Sequence, residues 1–152
     1  DEGVIGAFGC ALNEIDVSLR FVRETDVDCI MLPKRFTLLE RSAETELLPL
    51  CLEKGVGVLI AAPFDSGILA TGAVPGATYD YQPAGPEMLE RVRGLEARCE
   101  QFGLPLAAAA LQFPFRHPAV TSVVVGMRSR TEVESNLTSM RAPIPDGFWA
   151  GI

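Results

Sequence analysis

Four short apolar runs punctuate the chain: "VIGAFG" at 4–9, "DCIML" at 28–32, "GVGVLIAAP" at 55–63 and "TSVVVG" at 121–126. None alternates cleanly between apolar and polar positions, which predicts strands covered on both faces. Between the runs the period lengthens. Ile15, Leu19 and Val22 recur at helical spacing within 14–24, and Leu47, Leu48, Leu50 and Cys51 mark a helix over Glu44–Lys54. A longer amphipathic helix spans Glu87–Phe102 and stops at Gly103, glycine being the usual residue just past a helix end. Leu106–Phe113 reads as a tightly packed, alanine-rich helix. Thr131–Met140 is the last helical pattern, with Phe148 and Trp149 docking the tail.

The order is therefore β-α-β-α-β-loop-α-α-β-α. Alternation this regular predicts an α/β fold of parallel strands with helices on the faces and right-handed crossovers. The 152 residues are enough for one domain, 1–152, with a real core. The longest irregular stretch, "TGAVPGATYDYQPAGP" at 71–86, follows a strand and so lies at the edge where parallel α/β proteins place function. It reads equally well as a lid over a ligand or as a plain surface connection. Neither GxGxxG nor GxxxxGK[ST] follows any strand, so neither nucleotide-binding fingerprint is met.

Charge narrows the partners. Thirteen Lys and Arg against twenty Asp and Glu give a net charge of -7, which argues against nucleic acid or an anionic membrane as partner. A small anion in a local basic pocket stays compatible with it. Cys10, Cys29, Cys51 and Cys99 are far apart in apolar or helical contexts and read as reduced, buried thiols. With one histidine and no ligand spacing, no metal site is expected. No apolar run reaches the length of a membrane span. The chain enters a strand-like run directly after "DE", with no leader, as though cut; the expected location is cytoplasmic.

One stretch asks for a specific explanation. In "SVVVGMRSRTEVESNL" (122–137) a β-branched run stops at Gly126, and Arg128, Ser129 and Arg130 occupy the turn into a polar helix. Read alone, this is a solvated helix start with Ser129 or Thr131 as its cap. Without further context that reading is favoured, although amides and guanidinium groups there would also suit a phosphate.

Four segments together resemble the aldo-keto reductases, specifically the C-terminal half, strands five to eight with their helices, of their (β/α)₈ TIM barrel. "FGCALNE" (8–14) is similar to the family's fifth strand and exit, and "CIMLPKRFTLLER" (29–41) to the sixth. "GVGVLIAAPFDSGILATG" (55–72) is similar to the seventh, and "HPAVTSVVVGMRSRTEVESNL" (117–137) to the eighth and its cofactor helix. The wording "RFTLLE", "PFDSGILATG" and "PIPDGFW" is most similar to the sugar 1-dehydrogenase branch, the L-fucose and D-threo-aldose dehydrogenases with pyridoxal 4-dehydrogenase nearby. A full barrel takes roughly 250 residues, so the chain has room for about half. An open, flavodoxin-like sheet is the other architecture four parallel strands allow.

The resemblance implies an NAD(P)-dependent oxidoreductase that transfers hydride to or from a sugar or small aldehyde. On the eighth segment it implies that Gly126, Arg128 and Ser129 hold cofactor phosphate and Asn136 the adenine edge. Glu132 stands where members preferring NADP carry Arg or Gln; a carboxylate there repels phosphate but accepts from a 2′-hydroxyl. Arg128 and Arg130 pull the other way, leaving a slight preference for NAD. Ser135 replaces the usual Glu. On the seventh segment Pro63, Phe64, Ser66, Gly67 and Leu69 match the stretch that wraps the pyrophosphate through backbone amides, whereas Asp65 departs from it with a charge unfavourable toward phosphate. Without the family, "PFDSG" is a tight turn. Asn13 matches the residue that holds the nicotinamide carboxamide. Lys34 and Arg35 depart from the family's glutamine, with a salt-bridged structural role favoured, and His117 falls at the opposite, stability face.

The family's catalytic Asp, Tyr, Lys and His belong to its first half, and Tyr79 and Tyr81 match none of them. No catalytic residue is therefore assigned, and the chain alone is expected to be inactive. Its partner would be the N-terminal half of the barrel or a second copy. The alternative is a half-barrel acting as a dimerising or regulatory interaction module.

Overall fold

The computed structural model describes residues 2–152. Four strands form one parallel sheet: β1 (Gly9–Ala11), β2 (Cys29–Pro33), β3 (Gly57–Ala61) and, last in the chain, β6 (Val120–Val124), in the order β1-β2-β3-β6. Three crossovers carry helices: α1 (Ile15–Glu24), α2 (Leu47–Lys54), and the pair α4 (Pro86–Gln101) and α5 (Leu106–Gln112). A single turn, α3 (Ile68–Thr71), follows β3; α6 (Arg130–Arg141) follows β6, and α7 (Asp146–Trp149) ends the chain. The loop after α3 holds a minimal antiparallel hairpin, β4 (Thr78–Tyr79) with β5 (Gln82–Pro83). No described helix is long and apolar enough to cross a membrane.

The sheet is sealed on one face. Along β2 and β3 burial alternates residue by residue; Ile30, Leu32, Val58 and Ile60 are fully buried against the helices, while Met31 and Leu59, paired across the strands, stay half-exposed. The expectation of strands covered on both faces is corrected here. An uninterrupted run of Val, Leu and Ile does not say how many faces are covered within one chain. Both outer strands, β1 and β6, also leave an edge without a partner among the described residues.

Two element boundaries shift for identifiable reasons. The run at 4–9 yields strand only from Gly9, and Val4 and Ile5 stay exposed because no neighbouring strand runs beside them. The helix expected from Glu44 begins at Leu47. Pro49 has no amide to donate and is tolerated only in a first turn, so a start at Glu44 would put it too deep. Gly103 ends α4 as expected: its φ is +65°, and Leu104 N–H returns to the Cys99 carbonyl at 2.9 Å. Cys51 and Cys99 are buried, and burial pushes both thiols up to about 11. Cys10 and Cys29 are only half-buried, on neighbouring strands, which corrects that part of the cysteine reading; all four are free.

Candidate functional site: paired clefts at the strand exits

The loop leaving β3 is built against its own residue preferences. Ala62, Asp65 and Ser66 have φ of 53°, 47° and 62°, and Gly67 has 101°. Each left-handed non-glycine residue costs about 1–2 kcal/mol, and such conformations gather at functional sites. Hydrogen bonds hold the loop: Asp65 N–H donates to the Ala62 carbonyl at 3.1 Å, and Gly67 and Leu69 N–H both donate to the Phe64 carbonyl, at 2.9 and 3.1 Å. Those amides are thus already engaged. Leu69 is moreover fully buried with its side chain in the core.

Beside this loop runs the segment leaving β6. Two adjoining clefts of about 590 and 380 Å³ separate them, sharing Phe64, Gly67, Gly126 and Arg128. The larger also has Pro63, Ser66, Tyr81 and Met127 in its walls; the smaller adds Thr71, Glu132, Ser135 and Asn136. Sites of this size are typical for small molecules and cofactors. A Cβ built on Gly126 meets nothing of the protein within 4 Å, so internal packing does not demand glycine there. Eight expected residues are therefore brought together: Pro63, Phe64, Ser66, Gly67, Gly126, Arg128, Glu132 and Asn136.

Three are not. Leu69 lies in the core. Asn13 lies outside the walls of both clefts: its backbone carbonyl accepts from Arg35 Nε at 2.7 Å, and its side-chain amide donates to the Pro33 carbonyl at 3.1 Å and accepts from Arg35 Nη2 at 3.2 Å. Ser129 caps α6; its Oγ accepts from Glu132 N–H at 3.2 Å while Glu132 Oε2 accepts from Arg128 N–H at 2.7 Å, a reciprocal arrangement related to the capping box. Glu132 also pairs with the Arg128 guanidinium at 3.7 Å, and Arg130 with Glu134 at 2.7 Å. In this arrangement the carboxylate of Glu132 sits where an incoming anion would find its donors.

Sequence reasoning passed over Tyr81. The hairpin places it in the wall of the larger cleft, its N–H donating to Ser66 Oγ at 3.1 Å while Thr78 Oγ1 donates to the Ser66 carbonyl at 2.9 Å. Lys34 braces the same hairpin. Its ammonium pairs with Asp80 and lies 5.6 and 5.5 Å from the Tyr79 and Tyr81 rings, the structural role expected of it. Asp80 is held below the usual carboxylate range by that ammonium. The segment 71–86 is therefore a strap fastened to the cleft. His117 accepts from Ala119 N–H at Nδ1, 3.2 Å, and stands edge-on to Phe36; burial lowers its basicity.

Asp65 turns inward. Fully buried, its Oδ2 accepts from Thr37 Oγ1 at 2.5 Å, and burial lifts its carboxyl to about 6. A carboxyl raised above its unfolded value favours folding when protonated; the contribution is complete below about pH 4 and is lost as pH rises through about 6. Asp65→Asn keeps the acceptor for Thr37 and removes the charge. It should stabilise the protein at pH 7 by about 1–2 kcal/mol, with no gain at pH 4, in urea denaturation at the two pH values.

A parallel α/β sheet with its cleft between two strand-exit loops defines a protein of the barrel or doubly wound class, with the site at the expected edge. The comparisons narrow this. The model of the aldo/keto reductase family matches residues 1–152. The chain is 40% identical to pyridoxal 4-dehydrogenase of Microbacterium luteolum, over 97% of this chain and 43% of that protein. It is 39% identical to D-threo-aldose 1-dehydrogenase of Pseudomonas sp., over 98% of this chain and 46% of that one. Among solved structures, the aldo-keto reductase AKR11C1 of Bacillus halodurans, in its holo form, superposes with a TM-score of 0.76 at 26% identity, covering 96% of this chain and 48% of that one. The chain belongs to the aldo-keto reductase family. It spans less than half the length of these relatives, and its fold is the C-terminal half of a (β/α)₈ barrel.

Proposed function

We propose that this chain supplies the nicotinamide-dinucleotide-binding half of an oxidoreductase that oxidises an aldose of the L-fucose or D-threo-aldose class at C1, or a similar alcohol or aldehyde. The observation that carries the reading is the juxtaposition of the strained 62–67 loop with Gly126 and Arg128 across a shared cleft. When bound, the dinucleotide would supply the hydride acceptor. The protein's own part is to bind and orient it. Arg128 offers a guanidinium to the diphosphate, and the bare backbone at Gly126 admits close approach. Asn136 presents an amide in the wall of the smaller cleft, available to an adenine edge. Ser66 and Tyr81 wall the larger one.

On this reading the proton-transferring groups would come from the other half of the barrel. That half, or a second copy, is the partner that would cover the half-exposed face of β2 and β3 and the free edges of β1 and β6, which an isolated chain would leave open to aggregation. The test is turnover of L-fucose, D-arabinose or pyridoxal with NAD or NADP by the completed barrel. Absence of turnover with every substrate, while the dinucleotide still binds, would favour an interaction module instead.

Glu132 sets the expected preference. It occupies the Arg128 donors with a negative charge, so NADH should bind more tightly than NADPH. Glu132→Gln should tighten NADPH by about tenfold, the worth of one removed like-charge contact of about 1.4 kcal/mol, and leave NADH nearly unchanged. Quenching of Trp149 fluorescence, or cofactor fluorescence itself, gives both constants.

A further inference from the structure

Asp65 has a second peculiarity besides its burial. Thr37 Oγ1 accepts from Leu39 N–H at 3.2 Å and Glu40 N–H at 3.1 Å, so its single proton is committed to Asp65 Oδ2. Oδ1, equally buried, has no hydrogen-bond partner at all. An ionised carboxylate with one oxygen orphaned in the interior is costly. Yet the residue borders the larger cleft, beside Ser66, Gly67, Gly126 and Arg128.

The charged groups around it do not neutralise it fully. Lys34, just beyond β2, and Arg91 on α4 favour the ionised form, as does the Thr37 hydroxyl; Glu40, on the loop after β2, opposes it. Tyr79, from the hairpin, also faces it, and its hydroxyl is pushed up by burial and by Asp65 itself. Desolvation outweighs these and lifts the carboxyl to about 6. A small added negative charge is then enough to change its state.

We propose that Asp65 takes up a proton when an anionic dinucleotide enters the cleft, so that binding at this site is coupled to pH. The inference rests on the cofactor reading above. Diphosphate arriving beside a buried carboxylate adds a like charge that the interior screens poorly. A proton drawn from the buffer onto Oδ1 cancels the repulsion, gives the orphaned oxygen a hydrogen, and leaves the bond from Thr37 to Oδ2 intact. His117, whose basicity burial lowers, is engaged by Ala119 N–H and Phe36 and lies outside the walls of both clefts.

The test is calorimetry of NADH binding to the wild-type protein at pH 7 in phosphate and in Tris, whose ionisation heats differ. NADH is the probe because its diphosphate does not titrate here, whereas the 2′-phosphate of NADPH does. The expected result is uptake of about 0.5–0.9 proton per dinucleotide, with Kd rising up to about tenfold per pH unit between pH 6.5 and 8. In Asp65→Asn the uptake vanishes and the slope flattens. Binding without proton uptake in the wild type, or a slope that persists in Asp65→Asn, overturns the inference while sparing the cofactor reading. No NADH binding at any pH overturns both.

Discussion

Phe148→Ala is expected to cost about 3–5 kcal/mol, the range for deleting a fully buried aromatic. α7 is a single turn, too short to hold itself, so its place depends on what Phe148 inserts into. The ring is wholly buried, stands perpendicular to Phe102 and Trp149 at 5.7 and 4.9 Å, and lies 5.4 Å from the Arg98 guanidinium. Arg98 also donates to the Phe148 carbonyl at 2.8 Å and to Gly147 at 3.0 Å. Removing the ring empties a pocket and loosens this guanidinium clamp between α4 and the tail. Gln112 fastens the preceding stretch separately, donating to the Ser139 and Ala142 carbonyls at 2.8 Å each, so α6 should survive. Trp149 is the only tryptophan, and its emission should shift to the red as the tail leaves. A urea midpoint lowered by less than the equivalent of about 1 kcal/mol, with unchanged emission, would refute this docking.

Gly9→Ala should be the next most damaging change. Gly9 pairs with Cys29 across the β1–β2 ladder, and a Cβ there would come within 2.2 Å of the Cys29 carbonyl oxygen and 2.5 Å of its Sγ. One of these obstacles is backbone and cannot rotate away. β1 must therefore shift outward, straining or breaking Leu12 N–H to the Met31 carbonyl at 3.0 Å. Overpacking of this kind costs about 1–3 kcal/mol, and the upper end is expected because the obstacle is main chain. Hydrogen exchange should show lost protection confined to β1 and the β2 amides facing it, with α4 unaffected. Uniform protection across the sheet would mean that the strand accommodates the methyl group.

The sequence pattern located what local chemistry determines. α4 and its glycine stop, the alanine-rich α5 and the polar helix α6 all follow from periodicity and end signals, and the structure places them within a residue or two. The half-length fold and eight residues of the candidate site followed from the order of four family-like segments. What stayed hidden depends on contacts between distant segments. That Asp65, at the border of the cleft, spends Oδ2 on Thr37 is decided by a partner 28 residues away. That Leu69 is core and Asn13 is bound to Arg35 is decided by packing and by a neighbouring strand exit. Tyr81 could be given no role from periodicity, because a two-residue hairpin has none. Its one signal was the Gly- and Pro-rich loop around it.

Both oxygens of Ser66 are spent on the hairpin. An exposed surface hairpin is thus wired directly to the turn that floors the cleft. Surface loops absorb insertions and substitutions with little penalty to the core, so descendants of this scaffold can vary residues 80–83, all exposed, and retune the cleft each time without touching a buried residue. Ligand preference in such a lineage would drift through its most replaceable segment.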